Sequence, residues 1–406
     1  ILNFIDLSVL IKDYGFIMNI FKSSWTVVFL LMLFILLTFT QTSPFPLDDH
    51  YLYQRFVETL ASGRLDLSIH GFHGSDFFAT IWYLIHKSSI AQIEFQIFSA
   101  ILLPFFAFLA GRTLYKKDSL ALIFTIVLSM MPFLLFVSLR GWTGPAYWNL
   151  MLLSIAASRR YPWISAFFLS FAILTKPFAV ALIPLIFVLQ SKKIKISSRI
   201  APFLLIGVIC FAYVAIQYFQ VGHILVGAHL DIDHRSVWQG PSRILLNIAH
   251  IPQIIFSIHN YYFPDPSLTG AGNLMHTTPL LIFLGLLSLF STPKTEWRYI
   301  QRALIFGVII GFGLNVLLDH MDHYYMATGI LCILIASIPE LMRRKIWIPL
   351  VLATLHFQWF YFYLEFRHIF SLEQSFFMVP LLVDSLFLII CIKNRRIVYD
   401  TLRLIW

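Results

Sequence analysis

Asp48 and Asp49 stand side by side in the run PFPLDDHYLYQR, residues 44–55, behind an apolar stretch and two prolines. Adjacent carboxylates can divide two tasks. One caps a helix by accepting backbone N–H bonds, and the other takes a proton from a hydroxyl as a general base. Apolar Leu52, Tyr53, Phe56, Val57 and Leu60 follow at i, i+1, i+4, i+5 and i+8. That spacing predicts an amphipathic helix lying along a membrane surface, with the acids at its N-terminus and Gly63 ending it. His50 and Tyr51 are candidate substrate contacts beside the acids. Arg55 is a candidate cation for a substrate phosphate, with Glu58 as its alternative i, i+3 partner.

Other polar groups are scattered farther along. The run SDFFATIWYLIHK, which begins at Ser75, predicts a second, aromatic-rich interfacial helix near 76–88, too short to cross a bilayer. Between the two helices, residues 70–74 form a glycine-flanked turn. It is expected to be flexible and solvated, with His73 as a candidate substrate contact. Lys176 precedes Pro177 in an otherwise apolar stretch. It fits either a snorkelling lysine or a counter-charge for a lipid phosphate. Asp231, Asp233 and His234, with His229 and the Asp319–His323 run, could supply oxygen and nitrogen ligands to a divalent metal, although a solvated polar loop accounts for them as well.

The elements that must hold these groups are set by composition. Of 406 residues, 59% are hydrophobic and 12% charged, about half the charged fraction of a soluble domain. Apolar runs predict an all-α integral membrane protein, one polytopic domain over 1–406. Spans are expected near 24–40, 91–111, 119–138, 142–157, 162–175, 177–190, 200–219, 276–291, 302–318, 324–341, 346–364 and 376–392. Met18 opens MNIFKSSW just before the first span, so residues 1–17 fit an upstream extension or a conditional start.

Charge placement orients these spans. With twelve crossings and a cytoplasmic N-terminus, 21 of the 29 Lys/Arg fall on the cytoplasmic side. The other eight are Arg55, Arg64, Lys87, Arg140, Lys176, Arg235, Arg243 and Arg367. The net charge of +9 is therefore an orientation signal and not a nucleic-acid footprint. Residues 162–190 are best divided into two short helices meeting at Thr175-Lys176-Pro177, because a single helix would put every later basic loop outside. The two long segments, 41–90 and 220–275, then lie on the outer face with thirteen of the fourteen histidines. A glycine-rich phosphate loop and room for a cytosolic nucleotide-binding domain are both lacking, which disfavours ATP-driven pumping and use of a soluble nucleotide-sugar.

A first span, an acidic pair opening a juxtamembrane helix, and a second interfacial helix together resemble the GT-C glycosyltransferases. The likeness is to the branch of protein O-mannosyltransferases and lipid A aminoarabinose transferase. Thr175-Lys176-Pro177 resembles the basic residue and proline of that family's short helical hairpin. Asp322-His323-Tyr324-Tyr325 resembles its polar-aromatic motif at the outer start of a late helix, although the Arg-Tyr of many relatives is missing here. The resemblance implies a GT-C fold and a polyprenyl-phosphate-linked sugar donor. It also implies an Asp base at Asp48 or Asp49 acting on a lipid, glycan or protein acceptor. Lys176 and Arg55 become candidate phosphate ligands, and His323 and Tyr324 join the candidate substrate contacts. The related transferases imply no cofactor and no metal. The expected location is a bacterial inner membrane, both termini cytoplasmic and the active site outside. Two rival functions stand beside it: an O-antigen polymerase or ligase acting through 220–275, and a lipid-linked sugar flippase or other transporter, for whose midplane ionisable groups only Asp384 and His356 are candidates.

Overall fold

A computed structural model describes residues 24–44, 46, 49–69, 73–131, 137–190, 195–222, 279–291, 295–316 and 327–344, with single positions 245, 248, 351, 355, 358 and 359. Every regular element among them is helical. The helices are α1 (Ser24–Phe39), α2 (Asp49–Ala61), α3 (Asp76–His86), α4 (Ala91–Tyr115), α5 (Asp118–Ser129), α6 (Gly144–Ala157) and α7 (Pro162–Thr175). A 3-10 turn, Pro177–Leu182, leads into α8 (Ile183–Leu189), followed by α9 (Ile196–Val221), α10 (Pro279–Phe290), α11 (Thr295–Val316) and α12 (Ala327–Arg343). Ten of the expected spans fall on these helices; those at 346–364 and 376–392 lie outside the described residues apart from isolated positions.

Two helices, α4 with 25 residues and α9 with 26, are long and apolar enough to cross a membrane. Their surroundings differ. Half of the most apolar stretch of α4 is buried inside the bundle, against 22% for α9, which turns Phe211 and Phe219 outward. Five shorter apolar helices accompany them.

Contacts between helix termini show how the chain alternates. At one end, the first residues of α4 bond to α2 through Gln92 N–H and Gln54 Oε1 at 3.0 Å. Also there, Ala146 N–H in the first turn of α6 donates to Gln96 Oε1 of α4 at 3.2 Å. Tyr147 of α6 shares a hydroxyl bond of 2.6 Å with Thr328, in the first turn of α12. At the opposite end, Ser165 near the start of α7 donates to Ser154 O near the end of α6, at 2.7 Å. Trp297 at the start of α11 stacks on Tyr115, which ends α4, with ring centroids 5.9 Å apart. Gln301 of α11 donates to the last carbonyls of α10.

The chain between α7 and α9 runs back on itself. Leu174 O at the end of α7 accepts from Gly74 N–H at 3.0 Å, and Gln220 at the end of α9 bonds both Leu65 O and Leu67 N–H at 2.7 Å. Both helices thus end under the same loop, so 177–189 must return to the opposite end. There Arg199 Nη2, near the start of α9, donates to Phe187 O of α8 at 2.6 Å. This is the hairpin expected at Thr175-Lys176-Pro177. Pro177 has no N–H to continue α7, and Lys176 sits extended at the break, φ −147° and ψ 117°.

The alternation also sorts charge. Arg112, Lys116, Lys117, Arg159, Arg160, Lys195, Arg199, Arg298, Arg302, Arg343 and Arg344 all belong to one end of the bundle. The acidic-pair helix and the buried Asp76 belong to the other. Among the described residues, these cations and the helix opened by Asp49 therefore lie at opposite ends of the bundle.

Candidate functional site

The site end is roofed by α2 and α3. Tyr53, Phe56 and Val57 of α2 are buried, whereas Tyr51, Arg55 and Glu58 face outward, as the apolar spacing requires. Each buried side chain of this size contributes about 1.5–3 kcal/mol of apolar transfer, enough to hold a 13-residue helix flat on the bundle. Asp49 is the first residue of α2, Asp48 lies just outside the described residues, and Gly63 (φ 86°) follows the helix end.

Gln54 ties this helix down. Its amide donates to Glu58 Oε1 at 2.8 Å and Ser88 O at 3.3 Å, and its carbonyl accepts from Gln92 N–H at 3.0 Å. Glu58 is therefore engaged by Gln54, and among the described residues no ion pair joins it to Arg55. Arg55 instead acts at a distance on Asp66. The Ser68 hydroxyl beside Asp66 holds that carboxyl below its usual range, with Ser68 N–H, Arg55 and Arg64 assisting.

His73 departs from expectation. In place of a solvated turn, the structure puts it at zero exposure, with Nδ1 2.8 Å from Asp76 Oδ2 and Nε2 3.0 Å from Ile69 O. Phe56 stacks flat on the ring at 3.9 Å. Asp76 Oδ1 accepts from Gln92 Nε2 at 3.0 Å and from Ser75 Oγ at 3.3 Å. Both ring nitrogens are thus occupied within the protein, and neither is left to meet a substrate. The cause is local: Asp76 opens α3 at i+3 from His73, and the pair buries together because each satisfies the other. Gly74 is needed beside it, because a Cβ there would lie 2.1 Å from Phe171 O of α7.

His50 is 1% exposed and packs against the turn that precedes α6. A Cβ at Gly141 would come 2.5 Å from His50 Nδ1 and 2.9 Å from Ile93, and Gly141 has φ 74°. The residue has to be glycine on both counts. Burial pushes the His50 imidazole below its ordinary value, opposed by the Glu58 carboxylate. Tyr51, 63% exposed, sets its ring edge-on to His50 at 5.3 Å.

Several buried polar atoms around this junction have no partner: His50 Nδ1, Gln92 Oε1, Gln96 Nε2 and Asn149 Oδ1. Next to Gly141, Arg140 is only 5% exposed and places its guanidinium 5.3 Å from the Trp142 ring. Sequence reasoning counted Arg140 among the outer charges and gave it no role. Its signal was a charged residue inside an apolar run, LLFVSLRGWTGPAYW, followed at once by glycine.

Lys176, half-buried, follows Thr175, whose backbone abuts Gly74, so the structure brings it to the connection between α2 and α3. Asp231, Asp233, His234, His323 and Tyr324 lie outside the described residues. Among the described residues no group of three or more His, Cys, Asp or Glu could hold a metal ion. No family model, no curated protein and no solved structure matches this chain.

Proposed function

We propose that the protein is a membrane glycosyltransferase of GT-C type, moving a sugar from a polyprenyl-phosphate donor to an acceptor hydroxyl on the non-cytoplasmic face. The observation that carries this is the placement of the acidic pair. Asp49 is the first residue of a helix whose other face is buried and whose Gln54 is bonded to α4, so this residue is held at the bundle end away from the basic helix termini.

In this reaction Asp48 or Asp49 takes the proton of the acceptor O–H. The acceptor oxygen forms the new bond to the anomeric carbon as the C–O bond to phosphate breaks, and the phosphate leaves with the bonding electron pair. Attack from the face opposite the leaving group inverts the anomeric centre. Negative charge grows on the departing phosphate and needs fixed cations, for which Arg55 and Lys176 are candidates. An outward apolar flank, as on α9, suits the membrane setting that a lipid-borne donor demands.

The test is transfer by purified protein in detergent from a radiolabelled polyprenyl-phosphate sugar, with Asp48→Asn and Asp49→Asn beside the wild type. Loss of at least a hundredfold in one variant is the expected result; unchanged transfer in both sinks the mechanism. Activity in detergent, where no second compartment exists, also separates an enzyme from a transporter.

A further inference from the structure

We propose that the cleft between α3, α4, α6 and α7 binds a lipophilic alcohol of about six carbons, whose hydroxyl donates to Asn149 Oδ1. Neither the ligand nor the geometry of this site depends on the transferase reading.

The cleft has a volume of about 160 Å³. Phe78 of α3, Phe95, Phe98 and Phe106 of α4, and Phe168 of α7 form most of its wall. Ring contacts behind the wall hold it in place. Phe78 meets Phe171 edge-on with centroids 5.2 Å apart, and Phe168 meets Phe167 in the same way at 5.6 Å. Phe98 lies 4.8 Å from Trp82, whose indole N–H donates to Glu94 Oε2 at 3.1 Å. The space is therefore shaped before a ligand arrives. An apolar cavity of this size accepts a molecule about as large as benzene.

One buried polar atom interrupts the apolar lining. Asn149 of α6 is 6% exposed, lines the cleft, and donates through Nδ2 to Ser99 O at 2.6 Å. Its amide cannot be turned around, because two acceptor oxygens would then face each other. Oδ1 is the atom left over, buried and without a partner. An acceptor in that state is costly, and a ligand O–H removes the cost. A single water, roughly 30 Å³, would meet Oδ1 and leave most of the volume empty, which is itself destabilising. A hydrocarbon would fill the volume and leave Oδ1 unmet. An alcohol does both. An anion, by contrast, finds no cation among the described residues of the wall.

Access is from the side of the bundle. Phe98 is exposed as well as lining the cleft, and Phe167 of α7 and Ile81 and Ile85 of α3 also face outward on the flanking helices. A ligand crossing this apolar flank comes from hydrocarbon and not from water, so it has to be lipophilic apart from its one donor.

The test is photolabelling of the purified full chain in detergent with a diazirine-bearing hexanol, the modified residues being located by mass spectrometry. Label should concentrate on residues 95–106 and Phe168. 1-Hexanol should compete at least tenfold better than methyl pentyl ether, an isomer that has no donor. Asn149→Leu should cut that preference below threefold. Leu153→Trp, which narrows the cleft from α6, should lower saturable label at least tenfold. Equal competition by alcohol and ether in wild type overturns the role given to Oδ1, as does a tenfold preference kept by folded Asn149→Leu. Saturable label elsewhere, or undiminished in Leu153→Trp, overturns the site. Should Asn149→Leu fail to fold, the wild-type competition and Leu153→Trp decide the matter. Label in the cleft of a chain that transfers no sugar would count against the transferase reading alone.

Discussion

His73 and Asp76 form a pair of zero exposure, with Nδ1 2.8 Å from Oδ2 and Nε2 3.0 Å from Ile69 O. Both ring nitrogens face oxygens, so the two side chains satisfy each other inside the protein. That makes the pair's substitutions unequal. Asp76→Asn can offer its own amide hydrogen to Nδ1 and keep a carbonyl for Gln92 and Ser75, so it should cost only about 1 kcal/mol. Asp76→Ala strands the imidazole and the Gln92 amide together and should cost about 3 kcal/mol or more. Thermal unfolding in detergent measures both, and equal losses would refute a stabilising hydrogen bond between the two side chains.

Gly141 supports a second test of the site's geometry. Gly141→Ala puts a methyl group where His50 Nδ1 already lies, on a backbone at φ 74°. The left-handed conformation alone costs about 1–2 kcal/mol, and the contact adds to it. In the double variant Gly141→Ala/His50→Ala the His50 contact is relieved but the close approach to Ile93 and the backbone strain stay, so only part of the stability should return. Full recovery of the melting temperature would mean that the positive φ carries no cost.

His50 sets a pH dependence. Its folded-state pKa lies below the ordinary 6.5 because burial disfavours the charged ring. Between those two values the unfolded chain binds the extra proton, so stability rises with pH there. The contribution is complete above about 6.5 and is lost as pH falls toward the folded value. Melting temperature should therefore drop on acidification from neutral, and His50→Gln should flatten that drop. A His50→Gln curve parallel to wild type would remove His50 as its source.

How much of this was legible beforehand follows from the range of each interaction. The acidic-pair helix was readable because its signals are local: two prolines before it, an apolar repeat, Gly63 after it. The hairpin at Lys176 was readable because the basic loops would otherwise change sides. The burial of His73 was not, because it depends on Tyr213, whose hydroxyl accepts His73 N–H at 3.4 Å from 140 residues away, and on Gly74 meeting α7. Arg140 was missed for the same reason. The next residue, Gly141, packs on His50 and Ile93 from two other helices, and nothing in its own run reveals that.

Gln54 links stability to the proposed chemistry. It is 6% exposed and joins α2 to α4 through Gln92 N–H, and to the 86–90 connection through Ser88 O. Gln54→Leu keeps the bulk but leaves Gln92 N–H without its acceptor and Glu58 without its donor, at a cost of about 1–3 kcal/mol. The larger consequence concerns position. An acid held by a loosened helix still meets the acceptor, but less often in the reactive geometry, and a misplacement of about 1 Å can cost a hundredfold in rate. If the pair at 48–49 supplies the base, Gln54→Leu should lower kcat at least tenfold with KM changed by less than threefold. Gln54→Glu, which keeps an oxygen for Gln92 N–H, should restore part of that kcat. A Gln54→Leu enzyme that folds and transfers sugar at the wild-type kcat would detach the acidic pair from the reaction.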